Sequence, residues 1–439
     1  MNNEDISRVE RFRQFKNEIR GSDRVLIVGL DIGKNMHHGF LGTATGKTVK
    51  RGLRVENSAR GFEHLLTSLQ FYMDRDGFED SVFGLEPTSV YHKPLAEFLI
   101  THGHLVVYVT NEAINKNRAL LDGRWDKNDT KDAANAADLV AQGKCQFYDL
   151  PDIRLRDLRA LLSLRGRLKK QLHSSRVRIR NNLVAQYFPE LDKCWNRAQG
   201  ENLAIVRWCL SPLKISALSF EDFFKMVTTG NKGLRQYNRL SKIWEMAPYS
   251  IGCQPGIAMD LEAKMLVENI KSIQAHIASV DETIEDICLG FQDYQYLLSI
   301  PGFGPYVSAV VLAAIGTAQR FDNTHQILRF AGFDLSANRS GKKSQSAVPV
   351  ISKKGKAALR YAVYQAALIA SSLNAQFRGY YHHLLKGRER EKGIRTKMRV
   401  KLAAKLLVIA WTLMKNARTS GGTIKGLSLS SITWIRDDR

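Results

Sequence analysis

Four carboxylates are placed where they could do chemistry together. Asp31 closes an apolar run, Val25 to Leu30, and Glu86 closes a second one, Ser81 to Leu85. Asp129 and Asp132 stand three residues apart at the start of a helical stretch and so share a face. Taken singly, each is a cap or a surface charge. As a set they form an acid cluster able to hold one or two Mg²⁺, because hard oxygen ligands suit that ion and a paired-metal site steadies both oxygens of a phosphoryl displacement. In a chain with 65 Lys and Arg against 43 Asp and Glu, acids at strand ends need a reason.

A second constellation runs Arg339-Ser340-Gly341-Lys342-Lys343-Ser344, then Ile351-Ser352-Lys353-Lys354-Gly355 and Leu359-Arg360. A serine among cations can attack a phosphodiester, since the cations stabilise its alkoxide and the pentavalent oxygens. Spacing alone favours simple phosphate contact for such a serine. Other motifs carry less. Gly42 to Thr48 has three residues between its glycines where a phosphate loop needs four, and a β-like Val49 follows, so a hairpin turn suffices. The pairs His37-His38 and His382-His383 lack metal-ligand spacing. Five dispersed cysteines (Cys145, Cys194, Cys209, Cys253, Cys288) argue against a disulfide framework or zinc knuckle.

The elements that must position these groups can be read from the pattern. Strand-like runs at 25–30, 37–43 and 49–55, a helix at 61–73, a strand at 81–85, a helix at 92–101, a strand at 105–109 and a helix at about 130–142 give a mixed α/β sheet in the order of a ribonuclease-H-like fold. A helical arm follows. Leu161, Leu164, Leu168, Leu172, Ser175 and Ile179 keep a three/four spacing. Met259, Ala263, Leu266, Ile270, Ile273, Ile277, Val280, Ile284 and Ile287 repeat it for four heptads, the pattern of a coiled coil. The two seams could pair with each other or with a second copy. Ile300-Pro301-Gly302-Phe303-Gly304 before an apolar run resembles a helix-hairpin-helix, whose turn offers backbone N–H groups to a phosphate; a plain capped turn is the alternative.

Length predicts two or three domains: 1–150 with the sheet, 151–292 as the arm with an insertion around 193–256, and 293–439 mostly helical. The net charge is +22, and two segments account for all of it. Arg154 to Arg180 nets +9, including Arg176, Arg178 and Arg180; Arg339 to Lys401 nets +14. Such clusters neutralise phosphates and release counterions, so the partner expected is nucleic acid. No segment reads as a membrane span or signal peptide, and the expected location is cytoplasmic.

Asp31 in Gly-Leu-Asp-Ile-Gly-Lys, Glu86 in Leu-Glu-Pro-Thr, and Asp129 and Asp132 in Lys-Asn-Asp-Thr-Lys-Asp-Ala resemble the four-acid motif of the DEDD transposases, insertion-sequence recombinases related to the Piv invertase. The Ile-Pro-Gly-Phe-Gly-Pro turn, Arg329 to Phe333, Arg339 to Lys342 and Ile351 to Gly355 resemble the C-terminal transposase domain of that family. The resemblance runs over nearly the whole chain and fades at 193–256. It implies a RuvC-like domain joined by a coiled coil to a domain bearing a nucleophilic serine, here Ser340, with Mg²⁺ on Asp31, Glu86, Asp129 and Asp132. It implies donor and target DNA as substrates, a structured bridge RNA as guide, and a dimer or tetramer in which acids and serine from different subunits compose one site. Gly302, Gly304, Arg339, Lys342, Lys343, Lys353, Lys354, Arg360, Arg176, Arg178 and Arg180 are the expected nucleic-acid contacts, and a bacterial nucleoid the expected setting. The rival readings are a metal-dependent nuclease of the junction-resolvase kind and a non-catalytic nucleic-acid-binding protein.

Overall fold

The computed structural model describes residues 8–121, 129–195, 199–230, 233–336 and 350–419. They divide into two units, residues 1–152 with 319–326, and residues 153–318 with 327–439.

The first unit is built on one sheet. Its elements are α1 (Arg8–Ile19), β1 (Val25–Asp31), β2 (Met36–Gly42), β3 (Thr48–Glu56), α2 (Ala59–Asp76), β4 (Asp80–Glu86), α3 (His92–Thr101), β5 (Leu105–Tyr108), α4 (Asn111–Leu121), α5 (Asp129–Ala141) and β6 (Gln146–Phe147). The strand order is β3-β2-β1-β4-β5-β6. β1, β4 and β5 run parallel, whereas β2, β3 and β6 are antiparallel to their neighbours. This mixed sheet is consistent with the ribonuclease-H-like order read from the sequence. The parallel strands are near-continuous apolar runs because helices cover both their faces.

The two faces sort by the strand period of two. Leu26, Val28 and Leu30 of β1, with Phe83 and Leu85 of β4, pack on Phe62, Leu65 and Leu69 of α2 and Leu95 and Leu99 of α3. Ile27 and Val82 pack on the other side with Ala136, Ala137 and Val140 of α5 and Ile114 of α4. Gly29 and Gly84 alternate onto this second side. A Cβ on Gly29 would lie 2.1 Å from the Ala133 carbonyl oxygen, and one on Gly84 would lie 2.5 Å from Val140 Cγ2. These two glycines let α5 settle directly on β1 and β4. The Gly42–Lys47 stretch is a hairpin connection, as expected: the Thr43 amide donates to the Lys47 carbonyl, and Gly46 takes a φ of 91°.

The second unit is mostly helical. It contains α6 (Ile153–Arg178), continued by a π-helical turn at Ile179–Val184, then α7 (Ala185–Tyr187), α8 (Gln199–Cys209), α9 (Pro212–Ser216), α10 (Phe220–Val227), α11 (Leu234–Met246) and α12 (Ile257–Leu289). α13 (Gln292–Leu298), α14 (Pro305–Ile315), α15 (Thr324–Ala331, its first three residues counted with the first unit), a two-stranded ribbon of β7 (Leu335–Ser336) and β8 (Val350–Ile351), α16 (Ala357–Leu373), α17 (Ala375–Leu385) and α18 (Ile394–Thr419) follow. α6 and α12 lie against each other within one chain. Arg165 pairs with Asp281 and Arg178 with Glu262, so residue numbers fall along one helix as they rise along the other and the pair is antiparallel. The buried stripe of α12 is Met259, Ala263, Val267, Ile270, Ile273, Ile277, Ile284 and Cys288. It departs from the heptad reading at Leu266 and Ile287, each replaced by the next residue, and at Val280, which is only half-buried. A straight helix turns 3.6 rather than 3.5 residues, so a strict heptad drifts off the contact line. The insertion folds beside this pair: Leu203, Val206, Phe223 and Leu240 join Ile179, Leu183, Met259 and Ile270 in one core.

Candidate functional site

The site in the first unit follows from the sheet. Asp31 and Glu86 are Cα partners in the parallel pairing of β1 and β4, about 4.8 Å apart as adjacent strands are. Both are half-buried and lie two residues beyond Gly29 and Gly84, so they project from the α5 side. α5 crosses that face with Val140 over Gly84 and Ala133 over Gly29. The first turn of α5, which Asp129 opens, lies N-terminal to the contact of Ala133 with Gly29. The side chain of Asp129 lies outside the described residues.

Asp132 is 2% exposed and is held by α4. Arg118 Nε and Nη2 both donate to Asp132 Oδ1, at 2.9 and 2.6 Å. A polar clamp beside it fixes the two helices. Asn117 Nδ2 donates to Asn135 Oδ1 at 2.8 Å and to Asp138 Oδ2 at 2.7 Å, while Asn135 Nδ2 donates to the Ile114 carbonyl at 2.9 Å. Buried polar groups must be satisfied in this way, and a fully satisfied network specifies one arrangement of the helices. Arg118, Asn117 and Asn135 were not legible as site residues, because residues 111–121 carry no motif and their partners lie 14 to 21 residues away.

The donor chemistry fits a hard divalent cation. Two strand-end carboxylates, Asp31 and Glu86, stand side by side, and Asp132 of α5 takes both its arginine bonds on one oxygen. Among the described residues alone, no group of three or more His, Cys, Asp or Glu is close enough to hold a metal. The three buried thiols are poor nucleophiles: burial pushes Cys145 and Cys288 up to about 12 and Cys209 up to about 11.

In the second unit, Arg339, Ser340, Lys342, Lys343 and Ser344 lie outside the described residues. The flanking turn is described. Lys353 has a φ of 56°, a left-handed conformation unusual for a side-chain-bearing residue. The Ser352 hydroxyl lies 2.5 Å from Asp334 Oδ1, to which it donates, and accepts from the Lys354 amide at 3.2 Å. Arg360 Nη1 donates to the Ala331 carbonyl at 2.7 Å, bracing the end of α15. Lys353 and Lys354 are exposed. In the Gly-rich turn between α13 and α14, a Cβ on Gly302 would lie 2.4 Å from the Ala366 carbonyl oxygen, so this residue packs on α16, while Gly304 faces open space. On the arm, Arg178 pairs with Glu262 at 2.6 Å and Arg180 with Asp192 at 2.5 Å, while Arg176 is half-buried.

A ribonuclease-H-like sheet with acids at two neighbouring strand ends, joined in one chain to a strongly basic helical unit, defines an enzyme acting on nucleic acid. Residues 28–189 match a family model of DEDD transposases of the IS110 type, and residues 294–382 match the transposase model of the IS116/IS110/IS902 family. Together the two spans cover more than half of the chain, which belongs to this family of transposases, enzymes that cleave and rejoin DNA. Two relatives extend the match. An uncharacterized 44.8 kDa protein of insertion element IS116 from Streptomyces clavuligerus is 23% identical over 89% of this chain and 95% of its own length. An uncharacterized 43.6 kDa protein of insertion element IS110 from Streptomyces coelicolor is 23% identical over 89% of this chain and 94% of its own. Family membership carries with it dependence on a divalent metal ion. No described helix is long and apolar enough to cross a membrane.

Proposed function

We propose that this insertion-sequence transposase cleaves DNA with Ser340 as nucleophile and holds Mg²⁺ on Asp31, Glu86, Asp129 and Asp132. The observation that carries the acid half is the side-by-side register of Asp31 and Glu86 under α5. When bound, the ion would polarise the scissile phosphate and offset its negative charge. Ser340 Oγ forms a bond to phosphorus as the bond to the neighbouring sugar oxygen breaks. The serine proton leaves to a base and the sugar oxygen takes one up, so the energy of the phosphodiester is kept for rejoining. Arg339, Lys342 and Lys343 stand beside Ser340 in the chain and would steady the added negative charge.

In this reading the arm at 151–292 and the C-terminal domain at 293–439 bind donor and target DNA and a structured guide RNA. Their contacts include Arg176, Arg178, Arg180, Gly302, Gly304, Lys353, Lys354 and Arg360, and the chain works as a dimer or tetramer at the nucleoid. The two basic segments, netting +9 and +14, support a polyanionic partner.

A denaturant-stable protein–DNA adduct on a nicked substrate tests the nucleophile. It should vanish in Ser340→Ala and survive in Ser344→Ala and Ser352→Ala. Transfer of the adduct to Ser352, whose hydroxyl already bonds a carboxylate, would keep the chemistry and move the residue. Free ends accumulating with no adduct would instead show water to be the nucleophile and the acids to act as a nuclease centre. RNA sequenced from the purified protein should be one discrete structured species; random DNA alone would remove the guide.

A further inference from the structure

The arm carries a feature that neither the serine nor the acids use, and its reading rests on the proposal that this arm binds nucleic acid. On α6, Lys169, His173 and Arg176 follow spacings of four and three, which place them along one face, and Arg180 follows in the turn that continues the helix. The helix then widens into a π turn at Ile179–Val184. Such turns exchange regular helical bonds for longer ones, are rare, and concentrate at functional sites. Here the turn buries Ile179, Leu183 and Val184 in the arm core and leaves Arg180 and Asn181 exposed. Those two residues, with His173, Arg176, Trp195 and Leu203, line a cleft of about 280 Å³.

We infer that this cleft is a binding site for one unpaired nucleotide of a nucleic-acid strand, its base on Trp195 and its phosphate among Arg176, Arg180 and His173. The lining has both halves of that chemistry. Trp195 brings a half-buried indole, on which any base can stack, and the nearly buried Leu203 adds apolar surface to the lining. Arg180 is held in place by Asp192, which takes its Nε and Nη2 at 2.5 and 3.2 Å, and the guanidinium keeps further N–H donors beyond those two. The Asn181 amide offers a donor and an acceptor to a base edge. The volume lies near the low end of small-molecule sites, roughly 300 Å³, which suits a single nucleotide. A duplex keeps its bases stacked and cannot lay one against an indole. A lone phosphorylated ligand would have no use for the surrounding +9 segment, whereas a continuing strand would. Trp195 and Leu203 fall between the two spans matched by the family models.

The site rests on neither the serine nor the metal, and two measurements on the full-length protein test it. The first is fluorescence anisotropy with short labelled single-stranded RNA, single-stranded DNA and blunt duplex DNA. Trp195→Ala should weaken single-strand binding about ten-fold, Trp195→Phe should restore most of it, and neither should change duplex binding. Arg176→Gln should lower the salt slope for the single strand by about 0.7. Tighter binding of RNA or of DNA names the source of the nucleotide. Equal loss on duplex and single strand, or no loss on either, overturns the site. The second measurement needs no variant, should Trp195→Ala fail to fold: wild-type protein is cross-linked to strands carrying 5-iodouridine. The adduct should map to Trp195 or His173; adducts only outside residues 173–203 overturn the site while leaving a Ser340–DNA adduct unaffected.

Discussion

Asp132 illustrates how a single carboxylate is prepared. It is buried and its charge is met by Arg118, and a buried pair is costly to break because the survivor stays uncompensated. Arg118→Met should therefore destabilise the first unit by about 3–5 kcal/mol, read as a lower denaturant midpoint, and should reduce cleavage further than stability alone explains. Unchanged stability would mean that water reaches Asp132. Asp31→Ala should abolish cleavage and leave DNA affinity intact or raised, since a repulsive charge is gone; wild-type cleavage in a chelator would remove the metal from the reading. His37 is a different case. Fully buried and stacked on Phe62, it has its pKa held below 6.5, chiefly by burial. The folded chain keeps the ring neutral while the unfolded chain takes up a proton below about pH 6.5. Stability thus falls as pH drops through 6.5 and levels off below the depressed folded value, by at most about 1.4 kcal/mol per pH unit. His92 and His104 are pushed down by burial in the same sense. His37→Phe should flatten the melting temperature against pH between about 7 and 5 by its own share; an unchanged slope would show that His37 does not titrate there.

The contact of α5 on the sheet decides the geometry at the scale of elements. Gly29 meets a backbone carbonyl that cannot move aside, whereas Gly84 meets a side-chain methyl that can turn. Gly29→Ala should cost about 2–3 kcal/mol and Gly84→Ala nearer 1, and only the first should displace the acids and lower cleavage. The reverse order in a chemical denaturation series would contradict the docking described. In the arm, Ile273 and Ile277 are buried against α6. Ile273→Asp with Ile277→Asp should first loosen the helix pair within one chain, seen as rapid proteolysis of residues 153–289, and only then lower the mass of any assembly. An intact arm with a smaller mass would show that the seam serves a second copy instead.

For the whole molecule, electrostatics sets the behaviour toward partners. The net charge of +22 sits in two segments of the second unit's sequence, while the rest of the chain is close to neutral. Neutralising six to ten phosphates would make DNA affinity fall about 10³- to 10⁵-fold between 50 and 200 mM salt. A shallow salt dependence would mean that the charge is spent on internal ion pairs. Arg178 with Glu262 and Arg180 with Asp192 already share their charge with an acid, so each would add less to the slope than an arginine without such a partner.

What was legible from the residues alone was whatever depends on short-range pattern. The strand runs ending in Asp31 and Glu86 follow from alternation and apolar content, and parallel pairing then sets the two acids side by side. The hairpin at Thr43–Lys47 follows from its turn residues. The heptads of α12 announced a seam but not its partner, because α6 presents an equally suitable stripe and sequence spacing says nothing of which copy supplies it. Contacts between distant residues were left to the tertiary structure. Arg118 reaches Asp132 across 14 residues, and Arg165 reaches Asp281 across 116. The π turn that sets Arg180 and Asn181 opposite Trp195 has no periodicity of its own to betray it. Such pairs form because packing brings whole helices together, and the energy that selects them is shared over a core rather than written in any local run of residues.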